Sequence, residues 1–448
     1  MSVLLVTLDT TRVDYLSCYG ASGKQRTEHF DALAREGCRF DFAISASPAT
    51  PMSHASILTG LNPYQHGLRV MAAATGYRLP QKTPTLATIL RARGYRTAAF
   101  LSSFTVSEYF GFDTGFDHFD NGLAGHDVQR VFTTEPDGRR HWAVSKNQRR
   151  SDATTDAAIA WLRTLDAKSP ALMWVHYWDP HDPYVLPPRK LFAKMVSLSL
   201  RGDDARRAAY AAEIRYVDMQ FGRLIEALRQ TGRYDRTVIV VVADHGEGLG
   251  QHDWWHHRLL YQEQLHVPLI VRVPGWPRGQ VVGDLVRTID ILPTVLDALQ
   301  VRVPRGVAGR SLAALAHGEA EPPRVAYAEM LNRYDLNSTV LETRPQDGLL
   351  FAAIGRRWKL ILRYDHPEKS ELYDLQSDPQ ELRNLYGERA GEVSRLRRWL
   401  DRRQAYSTGA LGEGRVSPDA LRQLKALGYV GDDDAGAEPA ASQPVPPP

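Results

Sequence analysis

A chain of 448 residues is long enough for two domains, or for one large domain with a smaller appendage, and 43% hydrophobic with 24% charged residues marks a folded globular protein. Fifty-five Lys and Arg against 52 Asp and Glu leave a net charge of +3, too balanced for nucleic acid to be the main partner. Two cysteines, Cys18 and Cys38, exclude a disulfide framework and a cysteine metal cluster, and are expected as buried free thiols.

The first nine residues, Met-Ser-Val-Leu-Leu-Val-Thr-Leu-Asp, lack the basic start and cleavage site of a signal peptide and read as a buried strand over 3–7. No apolar run reaches membrane-spanning length. As written, the chain is expected in the cytoplasm, or in the periplasm or medium had a leader been removed. A short helix is expected over 53–58, just after Thr50, and another over 84–93. Strands over 96–101, 171–177 and 237–243 are almost continuously apolar, as in a parallel sheet covered on both faces. Between them lie helices over 152–165 and 204–230. In the latter, Tyr210, Ile214, Val217, Phe221 and Leu224 share one face. The alternation predicts an α/β layered domain over 1–320, with active residues at the carboxyl ends of its strands.

Beyond residue 320 the pattern changes. Strands over 324–330, 348–354 and 358–362, with a closing helix or two over 379–404, predict a small C-terminal α+β subdomain over 321–430. The arginines at 395, 397, 398, 402 and 403 read as a solvated helix face. The tail over 431–448, acidic and then proline-rich, has nothing to bury and is expected to be disordered.

Polar residues collect where the apolar strands end. The first strand runs into Asp9, and the 237–243 strand into Asp244-His245-Gly246-Glu247. Either aspartate could simply cap a helix. Two such strands, with an imidazole beside one, instead offer carboxylate and nitrogen ligands for a divalent cation. The 171–177 strand carries His176 next to its end and is followed by Asp179-Pro-His181-Asp-Pro-Tyr184. His252, His256 and His257 share a loop with Trp254 and Trp255, which could stack on a sugar or aromatic group or merely pack the loop. With His54 and His245, seven of fifteen histidines fall at strand ends or adjacent loops, which a cation or anion site explains better than chance. Thr50 stands at the positive end of a short helix, where an anionic ester would be attracted; it or Ser53 could also serve only as an N-cap.

In order and spacing these segments resemble the sulfatase family of the alkaline phosphatase superfamily, along nearly the whole chain. The resemblance is carried by Leu-Asp9-Thr-Thr-Arg-Val-Asp14, Ser53-His-Ala-Ser-Ile-Leu-Thr-Gly60, His176 to Tyr184 and Asp244-His-Gly-Glu-Gly. Tyr261-Gln-Glu, Val267-Pro-Leu-Ile, Glu371 to Leu385 and Leu424 to Val430 extend it. It implies an alkaline-phosphatase-like three-layer sandwich with a mostly parallel central sheet. It also implies one divalent metal ion (Ca, Mg, Mn or Zn) held by Asp9, Thr50, Asp244 and His245, with Thr50 as nucleophile. His181 and His176 would meet the ester or leaving group, His256 or His257 would take the place of the family's anion-binding base, and His54 that of its motif arginine. A second cation on Asp179, His181 and a later histidine is a further, less well matched arrangement.

Departures from the family pattern bear on the chemistry. The Cys-x-Pro-Ser-Arg motif becomes Thr50-Pro-Met-Ser-His54, so formylglycine cannot form there. The usual pair of adjacent aspartates becomes Asp9-Thr10, and a Lys- and His-bearing stretch is replaced near Leu101-Ser-Ser-Phe104. The resemblance then implies a metal-dependent hydrolase of sulfate or phosphate esters, the substrate being a small-molecule, glycan or lipid ester. A phosphoryl transferase and an inert binding module of the same fold are the alternatives. Nothing in the chain sets an oligomeric state.

Overall fold

The computed structural model describes residues 1–21, 26–72, 77–123, 148–166, 169–182, 200–335, 339–403 and 417–426, with isolated positions at 133–134, 140–141, 184, 191 and 406. Eight strands make the main sheet: β1 (Ser2–Leu8), β2 (Cys38–Ile44), β3 (Arg96–Phe100), β4 (His118–Asp120), β5 (Ala171–Tyr177), β6 (Thr237–Ala243), β7 (His266–Arg272) and β8 (Gln280–Arg287). Their spatial order is β8-β2-β7-β6-β1-β5-β3-β4. All run parallel except β7, which opposes both β6 and β2. Every residue of β1, β5 and β6 is buried, so both faces of the sheet are covered.

The covering helices include α1 (Glu28–Glu36), α2 (Thr50–Thr59), α3 (Leu86–Arg91), α4 (Ser151–Thr164), α5 (Gly202–Gln230) and α6 (Ile291–Ala298). Helix α5 packs against α1 and α4, with Phe221 stacked on Phe30 at 4.9 Å. All ten residues of α2 are buried, because it plugs the carboxyl edge of the sheet instead of lying across a face.

Four strands of the main sheet, β2, β4, β7 and β8, lie outside the expected set, and for the last two the reason is identifiable. β7 contains Pro268, which normally disqualifies a central strand; a register shift between Val267 and Leu269 absorbs it. β8 is an edge strand with a mostly exposed first half, so it is not an apolar run. Cys38 is buried but Cys18 is only half-buried, and both are free thiols.

A second, antiparallel sheet follows: β9 (Ala326–Met330), β10 (Leu350–Ile354), β11 (Trp358–Arg363) and β12 (Glu371–Asp374), in that order. Helix α7 (Ala390–Asp401) closes it, placing Leu396 and Leu400 among Tyr327, Phe351, Leu360 and Leu372. The helix expected over 379–404 is thus confined to α7. Asp378 accepts from the amides of Leu382 and Arg383, which turns the preceding segment instead. Helix α8 (Pro418–Ala426) returns to the main core through Ala420 and Leu424. The tail over 431–448 lies outside the described residues. No helix among the described residues is long and apolar enough to cross a membrane.

One buried ion pair ties the C-terminal sheet to the segment after α2, and a second lies within the C-terminal subdomain. Arg69 donates Nε and Nη2 to the two oxygens of Glu329 at 2.7 and 2.6 Å. Lys359 Nζ lies 2.6 Å from Glu381 Oε1, both side chains fully buried.

Candidate active site

The parallel strands deliver their polar residues to one edge. Asp9 follows β1, Asp244 and His245 follow β6, His176 stands near the end of β5, and Thr50 opens α2 shortly after β2. One ligand atom from each of Asp9, Asp244 and His245 lies within 4.8 Å of the others, and all three residues are fully buried. Thr50 Oγ1 is 3.3 Å from His245 Nε2. His245 Nδ1 sits 2.8 Å from the Gly246 carbonyl, which can only accept, so the ring proton is on Nδ1 and Nε2 presents a lone pair. Thr50 is the first residue inside α2, not a cap before it; Ala49 holds the N-cap position.

Both Asp9 oxygens and Asp244 Oδ2 are buried without a well-directed hydrogen bond, although the Thr50 hydroxyl lies close to both carboxylates. Burial, and then the charges of Asp244 and Glu247, push the Asp9 carboxyl well above the usual range; burial does the same to Asp244. Two adjoining buried carboxylates, an imidazole lone pair and a hydroxyl form the donor set that a divalent cation accepts. The residues present fit one such ion.

A layer behind these groups fixes them. His176 Nε2 faces Asp9 Oδ2 at 3.4 Å, while its Nδ1 meets Thr7 Oγ1 at 3.2 Å. Thr7 accepts from Trp174 Nε1 at 3.0 Å, so its own proton can go to His176 Nδ1, leaving the ring proton on Nε2 toward Asp9. His54 donates Nδ1–H to the Thr50 carbonyl at 2.8 Å and packs against the rings of His176, Trp174 and Phe112. Burial lowers its pKa to about 3, so it backs the start of α2 as a neutral ring. Ser53 donates to the Asp244 carbonyl at 2.6 Å, tying α2 to β6. Thr10, where the family pattern has a second aspartate, turns its hydroxyl to the Pro180 carbonyl and gives its amide to Asp244 Oδ1. A Cβ on Gly246 would stand 2.1 Å from the Glu263 carbonyl, so only glycine allows the chain to pass here.

Beside His245 lie His257 and His181. The His257 ring is 4.7 Å from that of His245 and 5.2 Å from that of His181, which stacks on Trp178 at 3.8 Å. Burial holds all three imidazoles well below their ordinary pKa. His256 stands apart on the rim, half-exposed, with Nδ1 3.7 Å from Asp182 Oδ2. Arg206 covers the Trp255 ring at 3.9 Å, and Trp254 donates Nε1–H to the His257 carbonyl. Asp179 takes no part: it accepts from the amide and hydroxyl of Ser151 and so caps α4 from outside. Both of its oxygens are thereby engaged by Ser151. Glu247 is the residue that sequence reasoning left without a role. Its buried carboxyl lies 3.7 Å from His257 Nδ1, and burial raises its pKa to about 8. Its position two residues after His245 was the available signal.

Residues 2–301 match the family model described as Sulfatase, and residues 250–405 match one described as N-sulphoglucosamine sulphohydrolase, C-terminal. An N-acetylglucosamine-6-O-sulfatase of Bacteroides thetaiotaomicron is 24% identical, over 86% of this chain and 82% of its own. Among solved structures, a protein in complex with its substrate D-glucosamine-2-N,6-O-disulfate superposes with a TM-score of 0.74 at 22% identity, covering 97% of this chain and 99% of the other. A phosphonate monoester hydrolase of Silicibacter pomeroyi superposes with a TM-score of 0.70 at 24% identity, covering 93% and 96%.

Proposed function

The chain belongs to the sulfatase family of the alkaline phosphatase superfamily, and on that premise we propose that it is a metal-dependent ester hydrolase whose nucleophile is Thr50, acting on phosphate esters in preference to sulfate esters. The observation that carries this reading is the placement of the Thr50 hydroxyl, 3.3 Å from the His245 lone pair and close to two buried carboxylates. A divalent ion bound by Asp9, Asp244, His245 and Thr50 would lower the pKa of the hydroxyl and polarise an ester oxygen.

This chain's own residues account for the rest. The hydroxyl proton leaves toward the carboxylates that Thr50 faces. Thr50 Oγ1 then forms a bond to phosphorus as the bond from phosphorus to the leaving oxygen breaks. His181 and His257 are neutral in a buried site, but an anionic ester beside them favours their charged forms. Binding the ester therefore lets one of them take up a proton from solvent, which it passes to the leaving alcohol as the bond from phosphorus breaks. Water displaces the phosphoryl group from Thr50 and restores the hydroxyl. A formylglycine hydrate sheds its sulfate by eliminating across its second hydroxyl; threonine has none, so the adduct must be one that water can displace. That favours phosphorus.

The test is hydrolysis of an aryl phosphodiester and an aryl sulfate by the native protein and by Thr50→Ala, each with manganese and with chelator. Phosphodiester cleavage that needs both Thr50 and the metal supports the reading. Preferential sulfate cleavage overturns the substrate assignment, and activity that survives in Thr50→Ala overturns the nucleophile.

A further inference from the structure

The loop that carries His256 and His257 has a backbone that L residues rarely adopt. His252, Asp253, His256 and Arg258 have φ of 52°, 54°, 77° and 89°. Something outside the loop must hold it. His252 Nδ1 lies 2.9 Å from Glu263 Oε1, and its Nε2 lies 3.2 Å from the Glu381 carbonyl oxygen. Its ring stacks on Tyr261, centroids 3.7 Å apart and planes 2° from parallel. A carboxylate and a carbonyl only accept, and a neutral imidazole has one N–H to give. Only an imidazolium satisfies both.

The charged groups around this ring come from four places. Glu263 belongs to the turn of helix that includes Gln262 and Leu265. Glu381 is engaged by Lys359 at 2.6 Å and by the Gln262 amide at 2.6 Å. Arg344, paired with Asp347, donates Nη1–H to the His252 carbonyl. Tyr261 gives its hydroxyl proton to Glu371. Burial disfavours the second proton on His252, but the hydrogen bond and charge of Glu263 outweigh it, with Glu381 adding to them, and the net shift is upward.

We propose that His252 is a positioning residue: as an imidazolium it latches the strained loop to Glu263 and to the Glu381 backbone of the C-terminal subdomain, keeping His257 beside His245, and on losing its second proton it releases the loop. The link to turnover rests on the hydrolase reading above; the latch itself does not. With the proton held more tightly in the folded state, the latch is closed on the acid side and opens as pH rises through the His252 titration.

Arg258 supplies a local readout, because trypsin can cut after it only when the loop opens. We expect cleavage of the full-length protein at Arg258, followed by mass spectrometry and normalised to a free peptide of the same sequence, to rise about tenfold between roughly pH 6 and 9. In His252→Gln it is fast and independent of pH. Glu263→Gln keeps an acceptor but removes the charge, so its midpoint moves to lower pH; this variant decides the matter should His252→Gln fail to fold. Ester turnover in the native protein falls over the same interval. Cleavage at Arg258 that ignores pH in the native protein, or keeps its pH dependence in His252→Gln, overturns the latch. A protein with no esterase activity but the expected cleavage profile would overturn the hydrolase reading and leave the latch standing.

Discussion

Asp9, Asp244 and His176 sit within or directly after strands whose every residue is buried, whereas His256 and His257 stand on a loop with four non-glycine residues at positive φ. Each strained position costs of order 1–3 kcal/mol, so the loop cannot hold its shape alone. Its restraints come from far along the chain. Arg344 binds the His252 carbonyl, Asn332 binds the Arg258 carbonyl, and Arg258 pairs with Asp335 at 3.2 Å. The strand-end half of the site is fixed by the sheet that positions it. The loop half is imposed by the connection between β9 and β10, which contributes no residue to the Asp9, Asp244 and His245 cluster. On the proposed reading, groups that hold a cation at fixed distances sit at strand ends, and groups that would meet substrate sit where shape can be adjusted.

The sharpest way to break this contrast is Asp9→Asn. The substitution removes a charge whose oxygens have no well-directed partner, so it relieves burial cost in the metal-free protein. Activity should fall by roughly 10³-fold or more, since a bound metal supplies several kcal/mol at the transition state. The metal-free protein should nonetheless melt a few degrees higher, about 1 kcal/mol more stable. Calorimetry with and without manganese, alongside turnover, checks both. A lower melting temperature without metal would mean that the carboxylate is structurally satisfied and the cluster is not a cation site.

Lys359→Met attacks the other half. It leaves Glu381 buried and unpaired beneath the loop, and should cost about 3–5 kcal/mol in urea unfolding. Manganese affinity should change little, because no strand-end group touches the pair. An equal loss of metal binding would show that the two halves are one cooperative unit.

His257→Gln should then lower turnover by about 10²-fold for alkyl leaving groups and much less for activated aryl ones, as loss of a proton donor predicts. Equal losses on both substrates would assign His257 to binding the anion instead.

Legibility from sequence followed the same division. Continuous apolar strands ending in Asp9 and Asp244 announced both the sheet and the edge where the site lies, because strand, burial and ligand are set by neighbours within a few residues. The rim was harder to read. His256 and His257 are adjacent in sequence, and only the positive φ at His256 sends one ring toward His245 and leaves the other half-exposed. The latch at His252 depends on Glu381, 129 residues away, and no local pattern shows that pairing. β7 stayed hidden because Pro268 speaks against a strand until its bulge is seen.

Asp179 gives the smallest and most discriminating comparison, since it too ends an apolar strand yet serves α4 and no ligand. Burial raises its folded pKa to about 6 despite three hydrogen bonds from Ser151. A carboxyl raised in the folded state adds stability below its unfolded pKa, and that contribution is lost as pH climbs toward about 6. Asp179→Asn is neutral at every pH and still accepts from Ser151. The stability difference between variant and native protein should therefore move in the variant's favour, by about 2 kcal/mol between about pH 4 and pH 6, and level off above about pH 7. Metal stoichiometry and turnover at neutral pH should not change. If manganese content falls in Asp179→Asn, the strand-end carboxylates are not divided between one that caps and two that ligate, and the single-cation site must be redrawn.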